Sequence, residues 1–146
     1  MTRRQTVPRQ WLIVDGANRA DFDALRRLAR GSGVIVLGQA NRRLEAIARS
    51  RGLRVAFEST GEATRIHNLA ELRNALLRGV PLVLLSPVFA TRSHPDWRPI
   101  PRMRASALAR LASRRLLALG GMNAKRYAKI APLGFIGWAG ISAFRT

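Results

Sequence analysis

The sequence predicts a parallel α/β domain, and three observations carry that reading. Short apolar runs alternate with helical stripes along the 146-residue chain. The same punctuation recurs four times: an asparagine before the helix, a glycine after it, then a strand. The runs at Leu82, Leu116 and Phe135 all place polar or glycine residues just past their C-terminal ends. That rim is where parallel α/β folds put their ligands. Turn residues after a buried strand would explain any one of these ends alone, but three in one orientation point to a site.

The elements follow in order. After a basic leader, Met1–Gln10, the run Trp11–Val14 reads as a strand ending in Asp15-Gly16. Asn18 precedes a helix over Arg19–Arg30, where Phe22, Leu25, Leu28 and Ala29 form a stripe at helical spacing. Gly31 stops it. Gly33–Leu37 is the second strand, Asn41 introduces the helix Arg42–Arg51, and Leu53–Phe57 is the third strand. The polar stretch Glu58–Ala63 leads to a fourth strand, Thr64–His67. Asn68 and Glu71 then form a capping-box-like pair opening the helix Leu69–Arg78, with Gly79 as its stop. The strand at Leu82 follows, then Pro101 heralds a helix over Arg102–Ser113 and the strand at Leu116. Asn123 opens Ala124–Leu133, and Gly134 leads into the last strand. Asn supplies an acceptor for free helix amides, and Gly tolerates the left-handed residue after the helix. Regular alternation of this kind implies right-handed βαβ units in one parallel sheet. Neither a linker nor a low-complexity tract interrupts it, so residues 1–146 read as a single domain.

Composition narrows the function. Hydrophobic residues make up 47% of the chain, and the mean hydropathy is near zero. No apolar run approaches the roughly 18 residues needed to span a membrane. No apolar signal core follows the basic leader before Asp15, so a cytoplasmic address is expected. The absence of cysteine excludes disulfides, thiol catalysis and thiolate metal sites. Net charge is +18, from 26 basic and 8 acidic residues, and no carboxylate side chain follows Asp96. Such a balance attracts polyanions and phosphorylated metabolites. Yet only Lys125 and Lys129 are lysines, and the arginines are dispersed along helices with no zinc-finger, homeodomain or ribonucleoprotein signature beside them. Most of that charge therefore reads as solvated helix faces, and nucleic acid is not the expected partner.

Gly120-Gly121 and Gly137…Gly140 stand where strands end and backbone amides become available. Glycine lets a backbone approach an anion, so the amides of Gly121, Gly140 and Ile141 are candidate phosphate donors. A side chain placed on Gly121 is expected to block that anion and leave the fold largely intact.

The segments Ser86–Pro95, Leu119–Met122 and Gly134–Ile141 resemble the thiamine-phosphate synthase family, including its thiazole-tautomerase (TenI-like) branch. The element Pro87-Val-Phe-Ala-Thr-Arg-Ser93, standing ahead of Gly120-Gly121, carries the resemblance, which covers roughly the last 80 residues. It implies a TIM-type (β/α) barrel. It also implies a transferase that joins an aminopyrimidine diphosphate to a thiazole phosphate, releasing pyrophosphate with Mg²⁺ assistance in thiamine biosynthesis. By motif position, Thr91 and Ser93 look like the hydroxyls that hold pyrophosphate and thiazole phosphate. His94 stands where the family often has lysine, and Arg92 is cationic help in the same catalytic loop. Gly120, Gly121, Gly140, Ile141 and Ser142 look like the cup for the thiazole phosphate. His67 fits a family pattern before a helix, although a satisfied buried histidine is the plainer role for it.

The chain also departs from the family pattern. Synthases carry Gln-x-Arg-x-Lys at the end of the second strand, where Leu37-Gly-Gln39 and Asn41-Arg-Arg43 stand here. They carry an Asn-Asp pair after the third strand, whose acid contributes to Mg²⁺ binding; here Phe57-Glu-Ser59 leaves Glu58 as the one candidate metal ligand. The tautomerase branch has His immediately before Val-Phe, and Pro87 here argues against that activity. The chain is also shorter than the roughly 200 residues usual for the barrel. Seven strand candidates are visible, and one βα unit between Phe57 and Leu82 is missing. The barrel is thus expected to be shortened, either closing differently or covered by a second copy in a homo-oligomer. Three readings follow: a synthase-type transferase, a catalytically degenerate thiazole-phosphate-binding module, and a basic nucleic-acid-associated protein. The near absence of acids favours the second over the first, and intact Thr91, Ser93 and the glycine pair favour both over the third.

Overall fold

The computed structural model describes residues 7–15, 19–39, 41–92 and 94–144. The expected leader up to Thr6, the helix cap Asn18 and the site candidate Ser93 lie outside the described residues. Within them, seven parallel strands form one sheet: β1 (Gln10–Val14), β2 (Gly33–Val36), β3 (Arg54–Phe57), β4 (Ala63–Ile66), β5 (Leu82–Leu85), β6 (Leu116–Ala118) and β7 (Gly137–Gly140). The helices are α1 (Arg19–Arg27), α2 (Arg42–Ser50), α3 (Leu69–Leu77), α4 (Arg102–Leu111) and α5 (Ala124–Ile130). The strand order is β3-β2-β1-β7-β6-β5-β4, so the first and last strands pair at the centre. The sheet curls into a nearly closed barrel whose seam lies between β3 and β4.

Strands buried on both faces read as continuous apolar runs, and the two-residue alternation assigns each side chain. Trp11, Ile13, Ile35, Ala56, Ala63, Leu82, Leu84, Leu117 and Ala139 pack together inside the barrel. Their neighbours Leu12, Val14, Val34, Val36, Val55 and Phe57 pack against α1 and α2. Val83, Leu85, Leu116, Ala118 and Trp138 pack with residues of α3, α4 and α5. Trp11, fully buried, fills much of the interior. It does so over Gly33, where a Cβ would stand 2.1 Å from the indole ring. Truncating an interior leucine such as Leu84 to alanine would cost about 2–5 kcal/mol.

The caps form where the punctuation placed them. The side chains of Asn41, Asn68 and Asn123 accept from the amides of Leu44, Glu71 and Arg126 at 3.0, 2.9 and 2.8 Å. Gly31, Gly52, Gly79 and Gly134 all take positive φ after their helices. Every helix ends before its expected bound, α1 and α5 by three residues. At the end of α1 the Leu28 amide bonds the Leu25 carbonyl, the tighter three-residue closure. α5 gives way to a 3₁₀ turn at Ala131–Leu133, because Pro132 has no N–H for the α ladder. The fourth strand starts one residue earlier than expected and leaves His67 just beyond its end.

Between β3 and β4 the chain makes only the turn 58–62, with no helix. The Glu62 amide closes on the Phe57 carbonyl at 3.1 Å and Gly61 on Glu58 at 3.1 Å. This is the missing βα unit. The small side chains of Ala56 and Ala63 share the interior cluster across that turn.

Candidate functional site

Parity along the strands builds the site. Arg65 and His67 continue the inward register of Ala63, Ser86 that of Leu82 and Leu84, and Leu119 that of Leu117. At the C-terminal rim these positions meet Ile13 and Leu37 around a cavity of about 450 Å³. Ile13, Leu37 and Leu119 supply apolar wall. Thr91, His94 and Trp97 come from the β5–α4 loop, Gly120, Gly121 and Met122 from the β6–α5 loop, and Gly140, Ile141 and Ser142 from the end of β7. The three rim segments singled out in the sequence therefore meet on one cavity.

Loop-to-loop hydrogen bonds hold them there. The amides of Val88 and Phe89 donate to the carbonyls of Leu119 and Gly120 at 3.0 and 3.2 Å, and the Ile100 amide returns to the Pro87 carbonyl at 2.8 Å. The glycine pair is required by this contact. Both residues have positive φ, 102° and 59°. A Cβ on Gly120 would stand 2.8 Å from the Pro87 Cα, and one on Gly121 would stand 2.3 Å from the Ala90 carbonyl oxygen. A substitution at Gly121 thus pushes two loops apart, which corrects the expectation that the fold would be left intact. Arg126 braces the same junction. Its Nη1 donates to the Gly121 carbonyl at 2.5 Å, and its guanidinium lies 5.2 Å over the Phe89 ring.

His67 is exposed, which corrects the buried role weighed for it. Its Nδ1 lies 2.9 Å from the Ser86 carbonyl and 3.3 Å from the Ser86 hydroxyl. A carbonyl only accepts, so Nδ1 carries the hydrogen and Nε2 is left as an acceptor in the neutral ring. Trp97 stands edge-on to this imidazole, with ring centroids 5.5 Å apart, and stacks on His94 at 3.8 Å. Arg92 is exposed and does not line the cavity.

Two cavity-lining side chains, Arg65 and Trp97, went unnoticed in the sequence. Arg65 had a signal, since it stands two residues before His67 and shares the inward register of Ala63. Trp97 had none, because it lies in a proline-bracketed loop without periodicity.

Glu58 does not line the cavity either. Its two carboxylate oxygens accept from Arg65 Nε at 2.9 Å and Nη2 at 3.1 Å. Among the described residues no group of three or more His, Cys, Asp or Glu side chains could hold a metal ion, and no carboxylate lines the cavity. These residues do not fit a protein-held Mg²⁺, which needs carboxylate oxygen beside the substrate phosphates. What the arrangement offers is a cavity with an apolar floor and a polar rim of hydroxyls, imidazoles, one guanidinium and backbone loops.

Among the described residues, no helix is long and apolar enough to cross a membrane. The fold is similar to that of the solved thiamine phosphate pyrophosphorylase from Pyrococcus furiosus. The TM-score is 0.70 over 97% of this chain and 89% of that one, at 17% identity. A curated protein of Aquifex aeolicus (strain VF5), named "Putative thiamine-phosphate synthase 2", is 32% identical over 78 residues. That match covers 53% of this chain and 42% of the relative, so the chain spans less than half of that relative's length. The family model described as thiamine monophosphate synthase matches residues 63–144, from the first residue of β4 through the last rim segment. The chain belongs to the thiamine monophosphate synthase family.

Proposed function

We propose that this chain is a cytoplasmic transferase of thiamine phosphate assembly, joining an aminopyrimidine diphosphate to a thiazole phosphate. The observation that carries the reading is the convergence of the β5, β6 and β7 rim segments on one cavity that presents Thr91, His94, Gly120, Gly121, Ile141 and Ser142. In this reading the C–O bond between the pyrimidine methylene and its diphosphate breaks, and pyrophosphate departs with the electron pair. The lone pair of the thiazole nitrogen then forms the new C–N bond. Such ionisation needs charge stabilisation more than a protein nucleophile. Thr91 and Ser93 are assigned as donors to the diphosphate, with His94 beside them, and the segments at Gly120-Gly121 and Gly140–Ser142 as the thiazole-phosphate cup; Arg92, which does not line the cavity, is given no role. Arg65 is the cavity's guanidinium, but its pairing with Glu58 limits the positive charge it contributes.

One observation favours a second reading, binding of the thiazole phosphate without turnover: no carboxylate lines the cavity among the described residues. One experiment separates the two. Purified protein is given both substrates in buffer containing Mg²⁺, and thiamine phosphate is measured by chromatography while thiazole phosphate binding is measured by calorimetry. Slow product formation is expected, falling roughly ten- to hundred-fold in Thr91→Ala, the loss typical of a hydrogen bond to a charged group. Thiazole phosphate binding without product would replace the transferase by the binding module. Absence of both would sink the two readings together.

A further inference from the structure

The cavity contains a ring stack, one member of which, Trp97, has no part in the reaction as written above. The His94 imidazole lies face to face with the Trp97 indole, centroids 3.8 Å apart and planes 8° from parallel. Among the described residues the His94 ring packs on this indole. His67 meets the same indole edge-on at 75°, and its Nδ1 is tied back to Ser86, so Trp97 is braced on that side by a fixed ring. The His94 carbonyl accepts from the Trp97 amide at 3.0 Å. The loop is thus a tight turn that folds one of its own rings onto another. Ile13, Leu37 and Leu119 contribute apolar wall to the same cavity. A cavity that offers both an indole face and apolar wall suits a flat, partly apolar ring. In this structure the ring seated on the indole belongs to the chain itself.

From this stack we infer that Trp97 is a stacking platform for a planar heteroaromatic ring and that His94 is its placeholder, displaced when such a ring enters. The inference rests on the transferase reading only in naming the ring class, a small aminopyrimidine. An exposed stacked pair of this kind shifts an equilibrium by roughly two- to twelve-fold, weak enough for a ligand ring to displace. A ligand ring that stacks on the indole inside the cavity gains more, because base stacking on an aromatic side chain is worth roughly five-fold or better in affinity. His94, once displaced, is free to turn toward an anionic group carried by the ring. The platform discriminates by shape: a flat ring stacks, and a saturated ring of equal size does not.

The test uses a neutral probe, 4-amino-5-hydroxymethyl-2-methylpyrimidine, so that no phosphate contact contributes. Calorimetry on the full chain should show binding that is roughly ten-fold weaker in Trp97→Leu, and that stays within about three-fold of wild type in Trp97→Phe. In His94→Ala the probe should bind two- to ten-fold more tightly, since its competitor is gone. Tryptophan emission gives an independent reading, because Trp97 is 42% exposed while Trp11 and Trp138 are buried. The probe should quench wild-type emission and leave that of Trp97→Leu unchanged. Equal affinity in wild type and Trp97→Leu, weaker binding in His94→Ala, or no binding to the wild type would each overturn the inference. Inorganic pyrophosphate is titrated in parallel. Loss of pyrophosphate binding alongside intact ring binding counts against the transferase reading and leaves the platform standing.

Discussion

At the residue scale, the glycine pair shows how one motif can have two causes. Read as sequence, Gly120-Gly121 suggests room for an anion. In the structure, the space a side chain would need is taken by Pro87 and Ala90 of the neighbouring loop. A comparison with Gly79 separates backbone conformation from contact. Gly79 has φ of 71° and nothing within 4 Å of its would-be Cβ, whereas Gly121 combines φ of 59° with the 2.3 Å approach to Ala90. Gly79→Ala should therefore cost about 1 kcal/mol, the left-handed penalty alone. Gly121→Ala should cost about 2–4 kcal/mol, a range reached by overpacking and backbone strain; chemical denaturation of both variants checks the difference. Equal costs would mean that the loops yield without strain. Tyr127 supplies a second residue-level prediction. Burial raises its pKa above the usual 10.0, although the charge of Arg9 pulls the other way. Its hydroxyl donates to the Phe135 carbonyl at 3.2 Å. With the folded pKa above the unfolded one, the folded state holds the proton longer. The associated stability is intact below pH about 10 and is lost as pH rises through the folded value. Tyr127→Phe should flatten that alkaline loss in urea midpoints measured from pH 9 to 11.

At the element scale, most of the architecture was legible because local and tertiary demands agree. Continuous apolar runs gave six of the seven strands, since strands covered on both faces leave no polar alternation to confuse the reading; β4, with Thr64 and Arg65 in it, gave no such run. Asn and Gly marked helix ends because each does a job that few residues can. The misreadings have local causes. Pro132 ends α5 early by removing a donor. His67 belongs to the strand register by parity yet lies past the last ladder bond, which moves it from the core to the rim. The site was legible where a motif lay on a strand end, as with Thr91, His94 and the glycine pair. It was illegible where a residue reaches the cavity from an irregular loop, as with Trp97, or by facing inward from a short edge strand, as with Arg65. The cap of α3 offers a direct check. The Asn68 side-chain oxygen accepts from the Glu71 amide, and its Nδ2 donates to the Glu71 carboxylate at 3.2 Å, a reciprocal pair like a capping box but made by the side chain rather than the backbone N–H. Asn68→Ala should cost about 1 kcal/mol. For a domain of this size that lowers the melting temperature by about 3–4 °C, and calorimetric scans of the two proteins measure it. An unchanged melting temperature would show that α3 is held by its buried face alone.

At the scale of the whole molecule, the shortened barrel turns on the seam between β3 and β4, the two edges of the sheet. An edge strand leaves alternate backbone groups without a ladder partner. The Arg54 and Glu58 amides bond the carbonyls of Ser32 and Val36, so the even-numbered residues of β3 face β2 and the Val55 amide faces the seam. The Ser86 amide bonds the Ile66 carbonyl, which by the same alternation turns Ile66 toward β5 and the Arg65 amide toward the seam. A covering second chain would protect both amides by strand addition. Closure through side chains would leave both open to water. The structure favours the latter: Ala56 and Ala63 are small enough to join the interior cluster across the five-residue turn, and Arg65 reaches back to Glu58 on the turn itself. In native-state hydrogen exchange, the amides of Val55 and Arg65 should therefore exchange at least about a hundred-fold faster than those of Ile13 and Leu84. Ile13 and Leu84 lie on strands paired on both sides. The rates at Val55 and Arg65 should also be independent of protein concentration. Slow exchange at both positions that speeds up on dilution would instead show that a second copy covers the seam, and the shortened barrel would then be half of a larger assembly.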